Sequence, residues 1–564
     1  MKTTDRYKMR KSLLLVMAVI AVMLTATFNQ SCTDLDEELF GEVTPDNFFN
    51  TEEEILAALG AAYTQFGNWG SGDPWNLNCV STDEMVVPTR GADWDDGGDW
   101  RRWHLHAWTR EDGGMNGGWN FGFGGVNTAN RLIYQFEVLV EDGVMDANEA
   151  AAFIAELRAI RGFFYWQLID WFGNVPLVND FANAEALPAT VPRAEVYAWV
   201  VADLEEAVAL LPTEVDGTTY GRMNYWAGKA LLANLYLNAE VYTGVPAYTQ
   251  AAAACTDIID NGGFSLTGNY FDNFSASNTG TTEMIFAIPY DQVYYGGFNV
   301  AARTLHYSSQ YTYNLTAQPW NGFCTLEEFY NSYDDTDLRK GDVGTATGPA
   351  IRRGNFIAGF QYNLDGSPTE DDGADATDPD GIHLNFGNMG SGEPQINELG
   401  PQAYRQAGVR IGKWEFELGA DPGAQNNDYA VFRLADIILM KAEALWRQSN
   451  NPTDAAALLL VNDVRSRSIP SLLTTLDGPV SFDMTGPSVP GGELFNEIGR
   501  EMFAEHSRRR ELIRWGLFDD VASWALPYNN PGDVLVEGEF TTLFPIHRDK
   551  IEANPNLDQN PGYN

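Results

Sequence analysis

The most regular hydrophobic pattern in the chain lies between Leu434 and Trp446. Apolar residues recur there every three or four positions and cover two adjoining faces, which predicts a helix buried on two sides. Pro452 ends the pattern, and the pair Thr453-Asp454 can cap a second helix over residues 455–467. Two helices joined in this way form a helix–turn–helix pair of the kind that stacks into solenoids.

Comparable patterns predict the other regular elements of the chain. Further helices are expected at residues 55–66, 119–136, 147–171, 224–239, 248–259, 493–506 and 509–518, with another that follows Arg193 and ends at 210–211. One strand is expected at 283–288. Residues 68–123, 262–319 and 341–400 show no helical period, so we expect loops and short extended pieces there. Together the helices before residue 262 look like two or three antiparallel pairs, so the chain is expected to be mainly α.

The start of the chain has the pattern of a targeting segment. A basic stretch that includes Lys2 and Arg10 leads into an apolar run over residues 13–28, which is too short to span a bilayer comfortably. Ser31 and Cys32 then resemble a bacterial lipoprotein cleavage site. We expect residues 1–31 to be a signal peptide, Cys32 to carry lipid, and residues 32–50 to form a tether at the outer membrane, facing the cell exterior. An ordinary secretory signal with an incidental cysteine is the alternative.

Charge and cysteine content narrow the choice of partners. The formal net charge is −43, which disfavours binding to nucleic acid or anionic lipid through the general surface. Adaptation to salty surroundings or simple solubility is the plainest explanation of this charge. Beyond Cys32, the spacing of Cys79, Cys255 and Cys324 fits no disulfide framework or zinc motif, so we expect isolated, mostly buried thiols.

Several stretches resemble the RagB/SusD family of nutrient-binding outer-membrane lipoproteins of Bacteroidetes. They are residues 158–176, which end in RGFFYWQLIDWFGNVP, the helix pair at 432–445 and 461–467, the acidic-then-arginine segment 505–516, and the tail 544–563. Each stretch alone is a weak signal, but their joint order along the chain is specific. His506 stands where the family usually has Gly, and His547 where it often has a second Pro. Both departures fall in scaffold motifs, so they concern local geometry rather than function.

The resemblance implies a fold and a function. The fold would be mainly α, with tetratricopeptide-type helix pairs that support a loop-rich, irregular half with a few short strands. Residues 51–564 would form one domain, whose ligand-binding half lies mainly in 68–123 and 262–425. The protein would not be an enzyme; it would capture an oligo- or polysaccharide and deliver it to a SusC-like TonB-dependent outer-membrane transporter. The acidic composition favours a neutral glycan, for example a glucan. Two alternatives stay open: a surface glycoside hydrolase on a helical scaffold, and a binder of a peptide or other non-sugar nutrient.

The candidate binding residues come from the aromatic-rich segments. Residues 68–123 hold many tryptophans among Gly, Asp and Asn, and exposed indoles are costly unless they contact something. Indole and phenol rings stack on the apolar faces of sugars, while Asp and Arg bond the hydroxyls. The candidate platforms are Trp94, Trp100, Trp103, Tyr295 and Trp320. The candidate polar partners are Asp95, Asp99 and Arg101. For each ring, packing inside the protein is the alternative role.

Cofactor and metal sites are not indicated by the sequence. His104 and His106 would share one face of a strand, but two ligands without a third are weak evidence for a metal. The acidic stretch 365–380 offers carboxylates for a structural Ca²⁺, yet its spacing lacks the EF-hand pattern, so a solvated loop is preferred. The acids and arginines of residues 500–511 are expected to form ion pairs that brace adjacent helices.

Overall fold

The computed structural model describes residues 51–91, 93–341, 354–371, 381–387, 396–400, 403–526, 528 and 530–563. The predicted signal peptide, the lipidated Cys32 and the tether lie outside the described residues, as do residues 372–380 of the acidic stretch. Residues Ala57–Asn564 group into one compact unit. The description below concerns this unit.

Helices supply most of the regular structure. The α-helices are α1 (Glu52–Tyr63), α2 (Asp73–Cys79), α3 (Asp99–His104), α4 (Gly113–Glu141), α5 (Ala147–Phe172), α6 (Arg193–Val208), α7 (Tyr225–Leu237), α8 (Ala239–Thr243), α9 (Tyr248–Asn261), α10 (Val300–Thr304), α11 (Ser309–Tyr313), α12 (Glu327–Asn331), α13 (Leu434–Ser449), α14 (Ala455–Ser466), α15 (Gly492–Met502), α16 (Arg508–Arg514) and α17 (Arg548–Ala553). Short 3₁₀ helices occur at Thr64–Asn68, Asp96–Gly98, Tyr270–Phe274, Val521–Ser523 and Glu539–Thr542.

The strands are short and pair in twos. They are β1 (Val175–Pro176), β2 (Thr190–Val191), β3 (Met284–Ile288), β4 (Phe356–Ile357), β5 (Gly359–Phe360), β6 (Glu370–Asp371), β7 (Ile382–His383), β8 (Asn385–Phe386), β9 (Arg410–Ile411) and β10 (Tyr429–Arg433). The antiparallel pairs are β1–β2, β3–β10, β4–β9, β5–β8 and β6–β7. Among the described residues, β3–β10 has the longest strands, and it runs directly into α13 because β10 ends at Arg433.

The predicted helices are confirmed over most of their lengths, and the fold is mainly α as expected. The predicted cap of α14 is present, since the Asp454 carboxylate accepts hydrogen bonds from the backbone N–H groups of Ala456 and Ala457. The prediction that residues 68–123 lack helices is wrong. This segment contains α2 and α3, and α4 begins at Gly113 rather than near Trp119.

The early start of α4 has a packing reason. Its first turns are rich in glycine, which normally disfavours a helix by about 1 kcal/mol per residue. A Cβ atom added at Gly122 would lie 2.5 Å from the Leu168 side chain, and one at Gly125 would lie 2.1 Å from the Phe164 ring. The glycines therefore let α4 approach α5 closely, and the burial of large α5 side chains offsets the low helix propensity of α4.

Neighbouring helices pack in sequence to build the scaffold. Helix α4 packs on α5, α5 on α6, α7 on α9, α9 on α13, and α13 on α14. The pair α13–α14 shares a buried core that includes Leu439, Ala442, Val461 and Val464, so α13 is covered on two sides as its pattern predicts. The irregular half contributes β4–β9 and the hairpins of residues 356–386, whose core includes Ile357, Leu384 and Phe386.

Buried ion pairs join the scaffold to the irregular half. Glu501 of α15 lies 2.7 Å from Arg433 Nη1 and 3.0 Å from Arg339 Nη1, and it also pairs with Arg467. Arg339 in turn lies 2.8 Å from Glu497. These arginines come from the end of β10, from the residue after the α14 C-terminal end and from the segment after α12. The ion pairs predicted for residues 500–511 are thus present, and Glu501 uses them to hold three distant segments together.

The arginines of this network favour the ionised form of Glu497 and Glu501. Burial alone would raise the pKa of the Glu501 carboxyl, but Arg467, Arg433 and Arg339 hold that pKa well below its usual value. Burial is likewise outweighed at Glu497, where Arg339, Arg500 and Arg465 lower the pKa to about 2. Both acids therefore stay ionised inside the protein.

His506 shows how this chain departs from the family pattern without losing the local geometry. Its backbone φ is 70°, in the left-handed region that Gly adopts most easily and that His tolerates better than most residues. Its ring stacks on Trp69 at a centroid distance of 3.8 Å, Nδ1 lies 3.0 Å from Asn78 Nδ2, and Nε2 lies 2.9 Å from the Trp69 carbonyl oxygen. Ring contacts and hydrogen bonds thus offset the strain that a side chain brings to this position.

The thiols also follow the expectation from sequence. Cys79, Cys255 and Cys324 are free and buried. Within the described part of the chain, no disulfide contributes to stability, so packing and the ion-pair network carry it.

We predict that Glu501→Gln destabilises the protein by about 3–5 kcal/mol, because it leaves three buried guanidinium groups short of a charge partner. Equilibrium unfolding of the mature chain in urea measures this change. Glu141→Gln, at an exposed end of α4, is the matched control and should stay within about 0.5 kcal/mol of wild type. An E501Q protein as stable as the control would contradict the role given to the network.

The same network predicts how stability depends on pH. Glu497 and Glu501 have lowered pKa values in the folded state, so their contribution is full above the unfolded-state pKa of about 4.3 and is lost as pH falls below it. We expect the wild type to lose stability between about pH 4.5 and pH 2. E501Q should lose less over this window, since one of the two acids no longer titrates. The measurement is the free energy of unfolding of both proteins at several pH values. If this free energy falls equally steeply with pH in wild type and E501Q, the prediction is contradicted.

Candidate functional site

The Trp94 loop is held by a turn and by a buried arginine. The backbone groups of Arg90 and Asp93 exchange hydrogen bonds of 3.0 Å. The Arg90 guanidinium donates to the Asn321 carbonyl at 3.0 Å and to the Ala407 carbonyl at 2.9 Å, which ties the loop to two segments of the irregular half. Trp94 has a φ of 58°, a conformation that a bulky residue keeps only when its surroundings enforce it.

Trp94 and Trp320 form the exposed centre of the site. The Trp94 indole N–H donates to the Trp320 carbonyl at 2.6 Å. The Trp94 ring lies directly against Gly322, where an added Cβ would come within 2.5 Å of the indole, and it meets the Phe323 ring edge-on. Trp320 is 44% exposed and Trp94 is partly exposed, so both can offer ring surface to a ligand.

Trp100 and Trp103 support this centre from below. They are 8% and 4% exposed, which leaves no free ring face and corrects the expectation that they act as platforms. Trp100 packs on Trp94, Trp103 and Phe323 at centroid distances of 5.7, 5.1 and 5.2 Å. Its N–H donates to an Asp96 carboxylate oxygen at 2.6 Å. These two residues are neighbours on one face of α3, and their packing fixes the position of the Trp94 ring.

The predicted polar partners are engaged in ion pairs. Arg101 pairs with Asp95 and lies 3.1 Å from Asp533, and Arg102 pairs with Asp99. Burial raises the pKa of Asp99, an effect that Arg102 partly offsets. The Asp95 side chain is 44% exposed and stands beside Trp94, so it can still accept a hydrogen bond from a ligand hydroxyl.

Tyr307 belongs to the same surface, although we did not single it out from the sequence. Its hydroxyl donates to the carboxylate of Asp93, next to Trp94, and its ring is partly exposed. The only sequence signal was its place in the tyrosine-rich segment between residues 290 and 320. We call Trp94, Trp320, Tyr307, Asp93 and Asp95 together the tryptophan surface.

Tyr295 lies at a different place. Its hydroxyl donates to the Tyr63 carbonyl at 2.8 Å, its ring stacks on Tyr290, and it lines an apolar cavity of about 250 Å³ together with Phe286 and Ile288. In the part of the chain that the structure describes, Tyr295 makes no hydrogen bond or ring contact with the tryptophan surface. The structure therefore does not bring Tyr295 together with the other predicted platforms.

His104 and His106 lie at the end of α3 and in the turn after it, not on a strand as we expected. His104 accepts a hydrogen bond from the Leu526 N–H, and His106 Nε2 lies 3.0 Å from the Ser81 carbonyl. Burial lowers their pKa values to about 4 and about 3. Each imidazole thus has its own backbone partner, as a packed core histidine does.

Metal-binding geometry is absent from the described ranges, where no group of three or more His, Cys, Asp or Glu side chains could hold an ion. Most of the acidic stretch that could hold a Ca²⁺ ion lies outside the described ranges, because only its residues 365–371 are described. Those residues form a turn and strand β6, which pairs with β7.

Comparison with known proteins places the chain in a family. The family model described as "SusD family" matches residues 282–563, and one described as "Starch-binding associating with outer membrane" matches residues 36–237. The chain belongs to the SusD family. It is 27% identical over 448 residues to the starch-binding protein SusD of Bacteroides thetaiotaomicron, covering 76% of each chain. It is 25% identical over 465 residues to the SusD-like protein P2 of Formosa agariphila, covering 80% of each.

Solved structures share the fold. A laminarin-binding SusD-like protein superposes with a TM-score of 0.65 at 21% identity, over 91% of this chain and 100% of that one. Surface glycan-binding protein A of Bacteroides thetaiotaomicron, solved with laminarihexaose, gives a TM-score of 0.65 at 19% identity, over 90% and 99% of the two chains. The helical, tetratricopeptide-like scaffold is thereby confirmed. No helix in the described ranges is long and apolar enough to cross a membrane.

We predict that Gly322→Ala displaces the Trp94 ring, because the new methyl group would lie 2.5 Å from the indole. Amide hydrogen exchange of residues 93–98 should become faster as the loop loses its anchor. Gly296→Ala is the control, since a Cβ there meets nothing closer than 3.9 Å. Unchanged exchange in G322A would show that Trp94 does not depend on this contact.

Proposed function

We propose that this protein is a cell-surface lipoprotein that binds a neutral oligo- or polysaccharide, such as a glucan, without cleaving it. The observation that carries the proposal is the tryptophan surface: two partly exposed tryptophans, joined by the hydrogen bond from the Trp94 indole to the Trp320 carbonyl, with Trp100 packed on Trp94 and the Asp95 carboxylate next to it. Flat rings cover the apolar faces of sugar units, and carboxylates accept hydrogen bonds from sugar hydroxyls. The names of the SusD relatives and of the laminarihexaose complex support the same assignment.

Anchoring and delivery complete the proposal. The pattern of residues 1–32 supports a signal peptide followed by a lipid on Cys32, and acylation would hold the protein on the outer membrane. The family description includes association with the outer membrane. We propose a SusC-like TonB-dependent transporter as the partner that receives the glycan, as the family resemblance implies. Binding and transport are then separate tasks on separate proteins.

We predict that Trp320→Ala weakens glycan binding by about 2 kcal/mol or more, roughly thirtyfold, because a partly exposed indole at the centre of a site is the usual binding hot spot. Native affinity electrophoresis of the mature chain in gels that contain laminarin or starch measures the loss as reduced retardation. Phe181→Ala is a matched control, because it also removes an aromatic ring of similar exposure. Phe181 is 45% exposed and Trp320 is 44% exposed. Equal retardation of W320A and wild type would exclude Trp320 from the site.

We also predict that the glycan is neutral. With a net charge of −43, the protein should repel a polyanion at low ionic strength. Gels with laminarin or starch should retard the wild type, whereas gels with alginate should not. Strong retardation by alginate would overturn this part of the proposal, and release of reducing ends from any of these glycans would favour a hydrolase instead.

A further inference from the structure

A second cavity lies beside α3. It has a volume of about 450 Å³ and lies between residues 97–107 and Pro531–Val534. Arg101, Arg102 and Leu105 line it. At 100° per residue these positions lie on the face of α3 opposite to Trp100 and Trp103. The cavity therefore lies against the face of α3 that does not carry the two indoles.

The walls of this cavity, which we call the α3 cavity, are tied together by direct contacts. The Val536 N–H donates to the Leu105 carbonyl at 3.0 Å. The Asn530 side chain donates to Asp533 Oδ1 at 3.1 Å, and Arg101 Nε lies 3.1 Å from Asp533 Oδ2. The cavity is thus preformed between two segments more than 400 residues apart in sequence, as the separation of Arg101 and Asp533 shows.

A glycine allows both arginines to face the cavity. Gly98 has a φ of 87°, and a Cβ atom there would lie 3.0 Å from Arg101 Nη2 and 3.0 Å from Arg102 Nη1. Any other residue would push against the guanidinium groups and would also strain the backbone.

The cavity offers a donor and an acceptor next to each other. Arg101 uses Nε and Nη1 for its bonds to Asp533, Thr89 and Asp95, and among the residues that the structure describes Nη2 has no acceptor. The Asp533 side chain is 17% exposed, and its Oδ2 lies 3.1 Å from Arg101 Nε. A hydroxyl can accept from a guanidinium and donate to a carboxylate, so two adjacent hydroxyls fit this pair.

Charge and shape narrow the class of ligand. The two arginines are surrounded by four carboxylates, from Asp95, Asp99, Asp112 and Asp533, so the cluster is acidic on balance and disfavours an anion. Leu105, Ala107, Pro531 and Val534 supply apolar wall, which suits the CH faces of a ring. A volume of this size lies within the range of about 300–1,000 Å³ that is common for small-ligand sites.

We propose that the α3 cavity is a second carbohydrate-binding site, which takes sugar units of a neutral glucan with adjacent hydroxyls on Arg101 and Asp533. This inference rests on the proposed function, because it assigns the same class of ligand to a different opening. The tryptophan surface and the α3 cavity would then bind two parts of one polymer, or two oligosaccharides.

Photo-crosslinking locates the ligand directly. The mature wild-type chain is irradiated with laminarihexaose or maltohexaose that carries a diazirine, and labelled peptides are identified by mass spectrometry. We expect labels in residues 97–107 or 531–534 as well as near Trp320. Ala107→Trp, which fills the α3 cavity, should lower labelling of the cavity peptides by about tenfold or more while labelling near Trp320 persists. Trp320→Ala should instead lower labelling of the peptide that contains position 320, while labelling of the cavity peptides persists.

Control variants and outcomes separate the two proposals. Ala202→Trp, at an exposed position of α6, introduces the same side chain away from both openings and should change neither pattern. If the wild type is labelled near Trp320 but not in the cavity peptides, the proposal of a binding site in the α3 cavity is overturned and the proposed function stays intact. Cavity labels that A107W does not reduce would also overturn it. No specific label from either hexasaccharide would overturn both proposals for glucans.

Discussion

The carboxylate of Glu501 is the point on which the rest of the architecture depends. Three guanidinium groups converge on it from β10, from the α14 end and from the segment after α12, so one buried charge fixes the helical scaffold against the irregular half. Such a network is costly to desolvate and is favourable only when every charge has a partner. It therefore favours one arrangement of β10, the α14 end, α15 and the segment after α12.

Much of the scaffold could be predicted from the sequence because its signals are local. The two-faced pattern of α13, the Asp454 cap and the end of α5 at Gly173 all lie within a few residues of what they determine. Helix α4 could not be predicted in full, since its glycines make sense only against Leu168 and Phe164 of the neighbouring helix. The partners of Glu501 were equally hidden, because they lie up to 162 residues away in sequence, at Arg339.

The candidate site could also be predicted from the sequence only in part. Composition identified the 94–103 segment and Trp320, and the structure brings them together through the Trp94–Trp320 hydrogen bond. Composition could not tell an exposed ring from a buried one, so Trp100 and Trp103 were expected at the surface although they pack beneath Trp94. Tyr295 was grouped with the others by its tyrosine-rich neighbourhood, but its contacts belong to Tyr63 and Tyr290. The α3 cavity has no sequence signature at all, since its walls come from opposite ends of the chain.

The anchoring of Trp94 has a further consequence for the thermodynamics of recognition. Its indole is held by the Trp320 carbonyl, by Gly322 and by Phe323 before any ligand arrives. A ring that is already immobile loses little rotamer freedom when a ligand lies on it, so complex formation avoids most of the ordering cost of about 0.5–1.5 kcal/mol per side chain. A surface of this kind can engage and release the glycan proposed above repeatedly without rearranging.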